Sequence, residues 1–162
     1  MRKSSLIAVV VMALAGQVFA EESPPSPPTL EVVSENQAIS LGEQKQRSIT
    51  FWLQQLMLSA LYRNVVQDSS LQEWQRNLST PTRIHCRYSS LATLAIPERQ
   101  TLSFDEALLP IPSDGYPPYI FIKRGPNVLR LAKYDPWVLY KLDSESGLGR
   151  YGKLSTVERA LF

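Results

Sequence analysis

The chain contains one histidine, His85, and one cysteine, Cys86, and the two are neighbours in the sequence. A histidine that contacts a thiol can activate the sulfur as a nucleophile. The surrounding segment is rich in strand-forming residues, and successive side chains of a strand point to opposite faces. We therefore expect the two groups to diverge and assign neither a catalytic role. Cys86 has no partner for an internal disulfide and is interpreted as a small buried residue, with a reactive thiol as the alternative.

Carboxylates offer a second kind of chemistry, because a glycan hydrolase needs two carboxyl groups held about 5 to 9 Å apart. Candidates in predicted loops or at element ends are Asp105, Glu106, Asp114, Asp143 and Glu145. A sequence does not show such a spacing, and 15 acidic residues supply many accidental pairs. We therefore predict no catalytic residue and keep a carboxylate-dependent glycan hydrolase as an alternative.

Residues 147–152, GLGRYG, match the dinucleotide-binding pattern GxGxxG. That pattern binds a pyrophosphate only where it opens a helix in a βαβ unit, with an acidic residue about 20 positions later. No acidic residue stands at that spacing here. We predict a flexible glycine-rich connection and no cofactor. Because one histidine forms no cluster of zinc ligands, we also predict no metal site.

Aromatic and basic side chains alternate in the second half of the chain, which indicates a binding surface. Rings with polar tips beside guanidinium groups are favoured at protein interfaces, and a sugar can stack on such rings. Lys123 and Arg124 flank a predicted turn, and Arg130 and Lys133 follow it, so several cations could project from one end of a hairpin. The hypothetical binding surface comprises Tyr119, Phe121, Lys123, Arg124, Arg130, Lys133, Tyr134 and Trp137.

The first twenty residues have the three parts of an export signal. Arg2 and Lys3 form a basic start, an apolar run extends from Leu6 to Ala15, and cleavage is expected near Ala20. That run is shorter than the roughly 20 residues of a bilayer span. We therefore predict a signal peptide over 1–20, a periplasmic or secreted mature protein, and no transmembrane segment in it.

Removal of Arg2 and Lys3 leaves 15 of the 17 basic residues against 15 acidic ones, so the formal charge falls from +2 to zero. A neutral chain lacks the attraction that general binding to nucleic acid requires, and we predict no nucleic-acid partner. Residues 21–39 begin EESPPSPP and are predicted to be a proline-rich linker and run-in, with a short strand over Leu30 to Val33 as an alternative. Residues 40–162 are predicted to be one globular domain.

Apolar periodicity predicts a long amphipathic helix from about Leu41 to Gln67, with Ser40 and Glu43 as a capping box. Its apolar stripe comprises Ile49, Trp52, Leu53, Leu56, Met57, Ala60 and Leu61. Phe51, Leu58 and Tyr62 widen this stripe and indicate contact on more than one side. Asp68 and Ser69 are expected to form a bend. Ser70 and Glu73 then predict the start of a short helix with Leu71, Trp74 and Leu78 on its apolar side.

Strand-forming residues dominate after Arg83. Predicted strands are Ile84 to Leu91, Thr93 to Ile96, Gln100 to Phe104, and a hairpin of Tyr119 to Lys123 with Val128 to Lys133. Asp135 and Pro136 predict the start of a helical turn over Trp137 to Leu142, and Ser155 to Leu161 a last short helix. The sequence thus predicts an α+β fold, in which a long amphipathic helix and a short helix pack on a small antiparallel β-sheet.

These features together favour an exported, non-enzymatic binding or adaptor protein of the bacterial envelope, with a place in a secretion, conjugation or pilus-type assembly. Its expected partner is another envelope or secretion-system protein. Two alternatives stay open. One is a peptidoglycan- or glycan-binding protein or the glycan hydrolase named above, and the other is a periplasmic inhibitor or immunity protein.

Overall fold

A computed structural model of the chain describes residues 26–63, 66–95 and 101–151. The predicted signal peptide and the predicted helix from Ser155 to Leu161 lie outside these residues. The described residues form a seven-stranded sheet and three helices, so the predicted α+β class is confirmed.

The strands are β1 (Thr29–Ser34), β2 (Gln37–Ala38), β3 (Val66–Ser69), β4 (Arg83–Ala95), β5 (Thr101–Pro110), β6 (Ile120–Arg124) and β7 (Asn127–Leu131). They lie in the order β2-β1-β4-β5-β6-β7-β3, and every neighbouring pair is antiparallel. The helices are α1 (Glu43–Tyr62), α2 (Leu71–Leu78) and α3 (Pro136–Ser146). Helices α1 and α3 pack together on one face of the sheet, and α2 covers part of the other face.

The apolar stripe of α1 faces the sheet as predicted. Its buried members are Ile49, Leu53, Leu56, Met57, Ala60 and Leu61. The predicted ends of the helix are wrong, because Gly42 rather than Ser40 is the N-cap and the helix stops at Tyr62. Val66 to Ser69, predicted as helix and bend, instead pair with β7. Hydrogen bonds to a distant strand outweigh the local helical preference there.

Strand β1 lies inside the segment predicted as a linker and run-in, and it confirms the alternative of a short strand over Leu30 to Val33. It pairs with β4, so that Leu30 stands opposite Cys86 and Val32 opposite Ile84. Val32 is buried in the main core, and Leu30 packs against it. The folded unit therefore includes residues that precede Ser40.

Strands β4 and β5 are longer than the sequence predicts. One strand, with an irregularity between Arg87 and Ala92, replaces the two that were expected over β4. Asp105 and Glu106 lie within β5 rather than in a loop, because β5 pairs with β4 along most of its length and with β6 around Glu106. Both faces of the sheet are covered at its centre, so buried residues follow one another there instead of alternating with polar ones.

The hairpin and the start of α3 agree with the sequence. Arg124 stands opposite Asn127, so β6 and β7 are joined by Gly125 and Pro126, and Gly125 has a φ of 55° that suits a glycine. The Asp135 carboxylate accepts a hydrogen bond of 2.8 Å from the backbone N–H of Trp137 and caps α3. The same local rule correctly places Ser70 at the N-cap of α2.

Candidate functional site

The eight residues of the predicted binding surface do not form one surface. Phe121 and Tyr134 are buried, so neither is available to a partner. Strand alternation turns Phe121 into the core beneath α2. Tyr134 belongs to the core on the opposite face, where its hydroxyl donates to the Pro117 carbonyl oxygen.

The other six members of that predicted surface are spread over four places. Arg130 lies on the α2 face, where it stacks on Tyr119 at 4.4 Å and pairs with Glu73 at 3.2 Å. Lys123 lies on the same face, next to Trp74. The exposed members are Arg124 at the hairpin end, Lys133 after β7 and Trp137 in α3.

A different group of aromatic side chains lies on the helical face, where two exposed rings flank the half-buried Trp52. Phe51 and Trp52 of α1 and Trp137 of α3 form a row with ring centroids 5.2 Å and 5.8 Å apart, which we call the aromatic ridge. Phe51 is 51% exposed and Trp137 is 54% exposed. Lys141 lies beside the row, with its Nζ atom 5.3 Å from the Trp137 ring centre. Large rings at this exposure are typical of a surface that binds a partner.

The packing of α3 against α1 creates the ridge. The Asp135 N–H donates to Ser59 Oγ at 2.8 Å, and Ser48 Oγ donates to Glu145 Oε2 at 3.0 Å. These two contacts fix both ends of α3 along α1. Trp52 and Trp137 therefore meet although they are far apart in the sequence.

The outer side of α1 extends this apolar surface. Phe51, Leu58 and Tyr62 are separated by seven and four residues, which places them on one side of a helix. Tyr62 is 58% exposed, and Leu58 is half-buried. A groove of about 260 Å³ runs beside Phe51, and Pro27, Pro28 and Gln54 contribute to its walls. The widened stripe was the signal in the sequence for this surface, although our surface prediction did not include it.

On the α2 face, the Glu106 carboxylate joins two side chains of neighbouring strands. Its Oε2 atom lies 2.7 Å from His85 Nε2, and its Oε1 atom lies 2.5 Å from Lys123 Nζ. Trp74 of α2 covers this group, with its ring centroid 5.9 Å from that of His85 and 5.6 Å from Lys123 Nζ. We call His85, Glu106, Lys123 and Trp74 the Glu106 cluster.

Burial controls the protonation of this cluster. His85 is only 5% exposed, and desolvation lowers its pKa although the Glu106 carboxylate opposes that effect. Burial alone would raise the pKa of Glu106, but hydrogen bonds from Lys123 and His85 together hold it below its ordinary value. At neutral pH the cluster thus contains a neutral imidazole, an ionised carboxylate and a lysine.

The other residues considered for a catalytic role lie apart from the Glu106 cluster. Cys86 faces the α1 core, away from His85, and burial raises the pKa of its thiol to about 11. The Asp143 carboxylate lies in α3, where it accepts hydrogen bonds of 3.0 Å from the N–H groups of Arg150 and Tyr151. The sheet separates it from Glu106. These two carboxylates therefore do not form the pair that a glycan hydrolase needs.

The glycine-rich segment after α3 terminates that helix. Gly147 has a φ of 75° and stands at the C-cap of α3. The N–H groups of Arg150 and Tyr151, which a phosphate would need, are already bound by Asp143. Asp114 and Glu145 are not drawn into a common site either, since Glu145 binds Ser48 and lies near Lys45.

Among the residues that the structure describes, no three His, Cys, Asp or Glu side chains group as metal ligands would. The described helices include none with the length and apolar content needed to cross a membrane. Comparison with protein-family models, curated proteins and solved structures gives no match.

Proposed function

We propose that this chain is an exported, non-enzymatic binding protein of the bacterial envelope that holds a protein partner on the aromatic ridge. The observation that carries the proposal is the exposure of Phe51 and Trp137 on either side of Trp52. Aromatic residues are enriched at the centres of protein interfaces and supply much of their binding energy.

The surroundings of the ridge support a protein as the partner. Its rim is polar and charged, because Arg47 pairs with Glu43, Lys45 lies 3.9 Å from Glu145 and Lys141 lies over the Trp137 ring. An apolar centre with a polar rim is the usual arrangement of a protein interface.

Ring geometry favours a protein over a glycan. Neighbouring rings of the ridge meet at 76° and 77°, so they do not offer one flat platform to successive sugars. The ammonium group of Lys141 also lies over the Trp137 ring. A protein side chain can fill the angles between such rings, since edge-to-face packing is a favoured aromatic arrangement.

The proposal that the protein is exported rests on its first twenty residues. The basic start, the apolar run and the small residue at Ala20 have the order of a signal peptide. We infer a periplasmic or secreted protein whose partner belongs to the envelope, and we place it in a secretion, conjugation or pilus-type assembly.

The test is capture of the partner followed by measurement of its affinity. The mature chain is crosslinked in the envelope of its native source, the captured protein is identified by mass spectrometry, and its purified form is titrated against variants. A variant with Phe51→Ser and Trp137→Ser is expected to bind at least about 30-fold more weakly, because exposed aromatic anchors contribute about 2 kcal/mol or more.

The matched control changes two apolar exposed residues elsewhere, Leu71→Ser and Leu91→Ser. It should bind as the unmodified chain does. Unchanged binding by the ridge variant would contradict the proposal. Sedimentation with purified peptidoglycan that depends on Phe51 and Trp137 would instead indicate a glycan ligand.

A further inference from the structure

Helix α2 is held on the sheet by few contacts. Its apolar attachment is made by Trp74, the one buried residue among its eight described residues, which packs on Leu108, Phe121 and Val128, and by the half-buried Leu78, which packs against the same cluster. The second attachment is the partly exposed pair of Glu73 with Arg130, which the Ser69 hydroxyl supports by a hydrogen bond of 2.6 Å to Glu73. An element attached in this way opens at a lower free energy than the strands beneath it.

The buried side chain of α2 rests on the one histidine of the chain. Trp74 meets the His85 ring edge to face, and the Lys123 ammonium group also lies over the indole. Strand β4 cannot move away from this contact, because it pairs with β1 and β5 and contributes Ile84 and Cys86 to the main core. The strand backbone at His85 is therefore held in place, and α2 is the packed element that can move away from it.

Charged groups surround His85 from every neighbouring strand. Glu31 of β1 stands opposite it, but this carboxylate is held 3.1 Å from Arg83. Arg87 lies two residues along β4 on the same face. Glu106 of β5 contacts the imidazole directly and is shared with Lys123 of β6. The residue of α2 that contacts His85 is Trp74, which is uncharged. Glu73, its neighbour in α2, pairs with Arg130.

We propose that α2 is an acid-released latch, in which protonation of His85 displaces Trp74 from the sheet and uncovers Leu108, Phe121 and Val128. A proton on His85 adds a second cation to a carboxylate that Lys123 already neutralises. It also places that charge under an indole that excludes water. Departure of Trp74 hydrates the imidazolium ring while the strands keep their pairing.

The lone histidine makes the first test direct. In the tag-free mature chain, NMR follows the His85 imidazole and the three indole N–H signals from about pH 8 to about pH 5. We expect His85 to titrate below its ordinary value of about 6.5 and the Trp74 signal to shift at the same midpoint. Trp52 and Trp137 serve as internal controls and should not follow it. A Trp74 signal that stays constant while His85 titrates would overturn the proposal.

The second test replaces His85 by a side chain that takes up no proton. His85→Gln keeps a donor for Glu106 but has no charge at any pH of this range. Trp52→Phe and Trp137→Phe are introduced into both proteins so that Trp74 is the only fluorophore of its kind. Acrylamide quenching of Trp74 should rise several-fold on acidification when His85 is present, and it should stay constant in the His85→Gln variant. An equal rise in both proteins would contradict the latch. If α2 is already displaced at every pH in the His85→Gln variant, the proposal is judged by the NMR titration of the chain that retains His85.

Discussion

Glu106 is the residue that joins the polar side chains of the Glu106 cluster. It accepts from two neighbours and is about one-fifth exposed, so water only partly replaces a lost contact. Glu106→Gln should lower the free energy of unfolding by about 1–3 kcal/mol, because the amide keeps one acceptor oxygen for two donors and removes the negative charge beside Lys123 in a partly buried place. Urea denaturation measures this change.

Glu43→Gln provides the matched control for that substitution. Glu43 also pairs with a cation, Arg47, but the two side chains are 79% and 76% exposed. An exposed pair of this kind contributes at most about 1 kcal/mol. Equal losses in the two variants would mean that the Glu106 cluster has no special stabilising role.

The same cluster predicts how stability depends on pH. The lowered pKa of His85 means that the unfolded chain binds its proton more readily, so this contribution is present above about 6.5 and is lost as the pH falls. The lowered pKa of Glu106 acts in the same direction below its ordinary value of about 4.3. Unfolding free energies from urea titrations should therefore decrease from pH 7 towards pH 4. In the His85→Gln variant, the decrease at the higher pH values of this range should be smaller. A profile that rises on acidification would contradict this prediction.

At the scale of the element, the cap of α3 positions Trp137, one of the three residues of the aromatic ridge. Asp135 accepts from the N–H of Trp137 and donates its own N–H to Ser59. Asp135→Ala should cost about 1 kcal/mol of unfolding free energy through loss of the cap. Asp135→Asn keeps a capping oxygen and should cost much less. Thermal unfolding of the two variants side by side measures the difference, and equal losses would show that the cap is not the cause.

Elements defined by neighbouring residues could be predicted from the sequence. The apolar stripe of α1 follows from a period of 3.6 residues, and Ser70 and Asp135 are caps that act within three residues. The turn at Gly125 is equally local. The period of two also correctly separated Cys86 from His85, because it holds along any regular strand.

Elements that depend on distant partners could not be predicted in the same way. Val66 is in a strand because it stands opposite Leu131, and pairing of Leu30 with Cys86 decides between the two alternatives that the sequence left open at Leu30 to Val33. The strand end predicted at Phe104, which put Asp105 in a loop or at an element end, was wrong for the same reason. The aromatic ridge likewise needs α3 to lie along α1, so the sequence showed a widened stripe at Phe51 without showing that it would face solvent.

Across the whole molecule, the sheet separates two sites. The aromatic ridge lies on the face covered by α1 and α3, and the Glu106 cluster lies on the face partly covered by α2. Alternate residues of β6 point to the two faces, so Ile120 and Ile122 support one side while Phe121 supports the other. Binding at the ridge and acid release of α2 can therefore be tested by separate substitutions.

The position of β1 predicts where the folded unit begins. A chain that starts at Ser40 lacks Val32, which is buried in the main core, and leaves the edge of β4 unpaired. Loss of buried aliphatic side chains costs about 2–5 kcal/mol each, and an unpaired long strand promotes association with other chains. We expect residues 26–162 to unfold cooperatively and residues 40–162 to be much less stable or to aggregate. Urea denaturation with light scattering compares them, and equal stability would place β1 outside the folding unit.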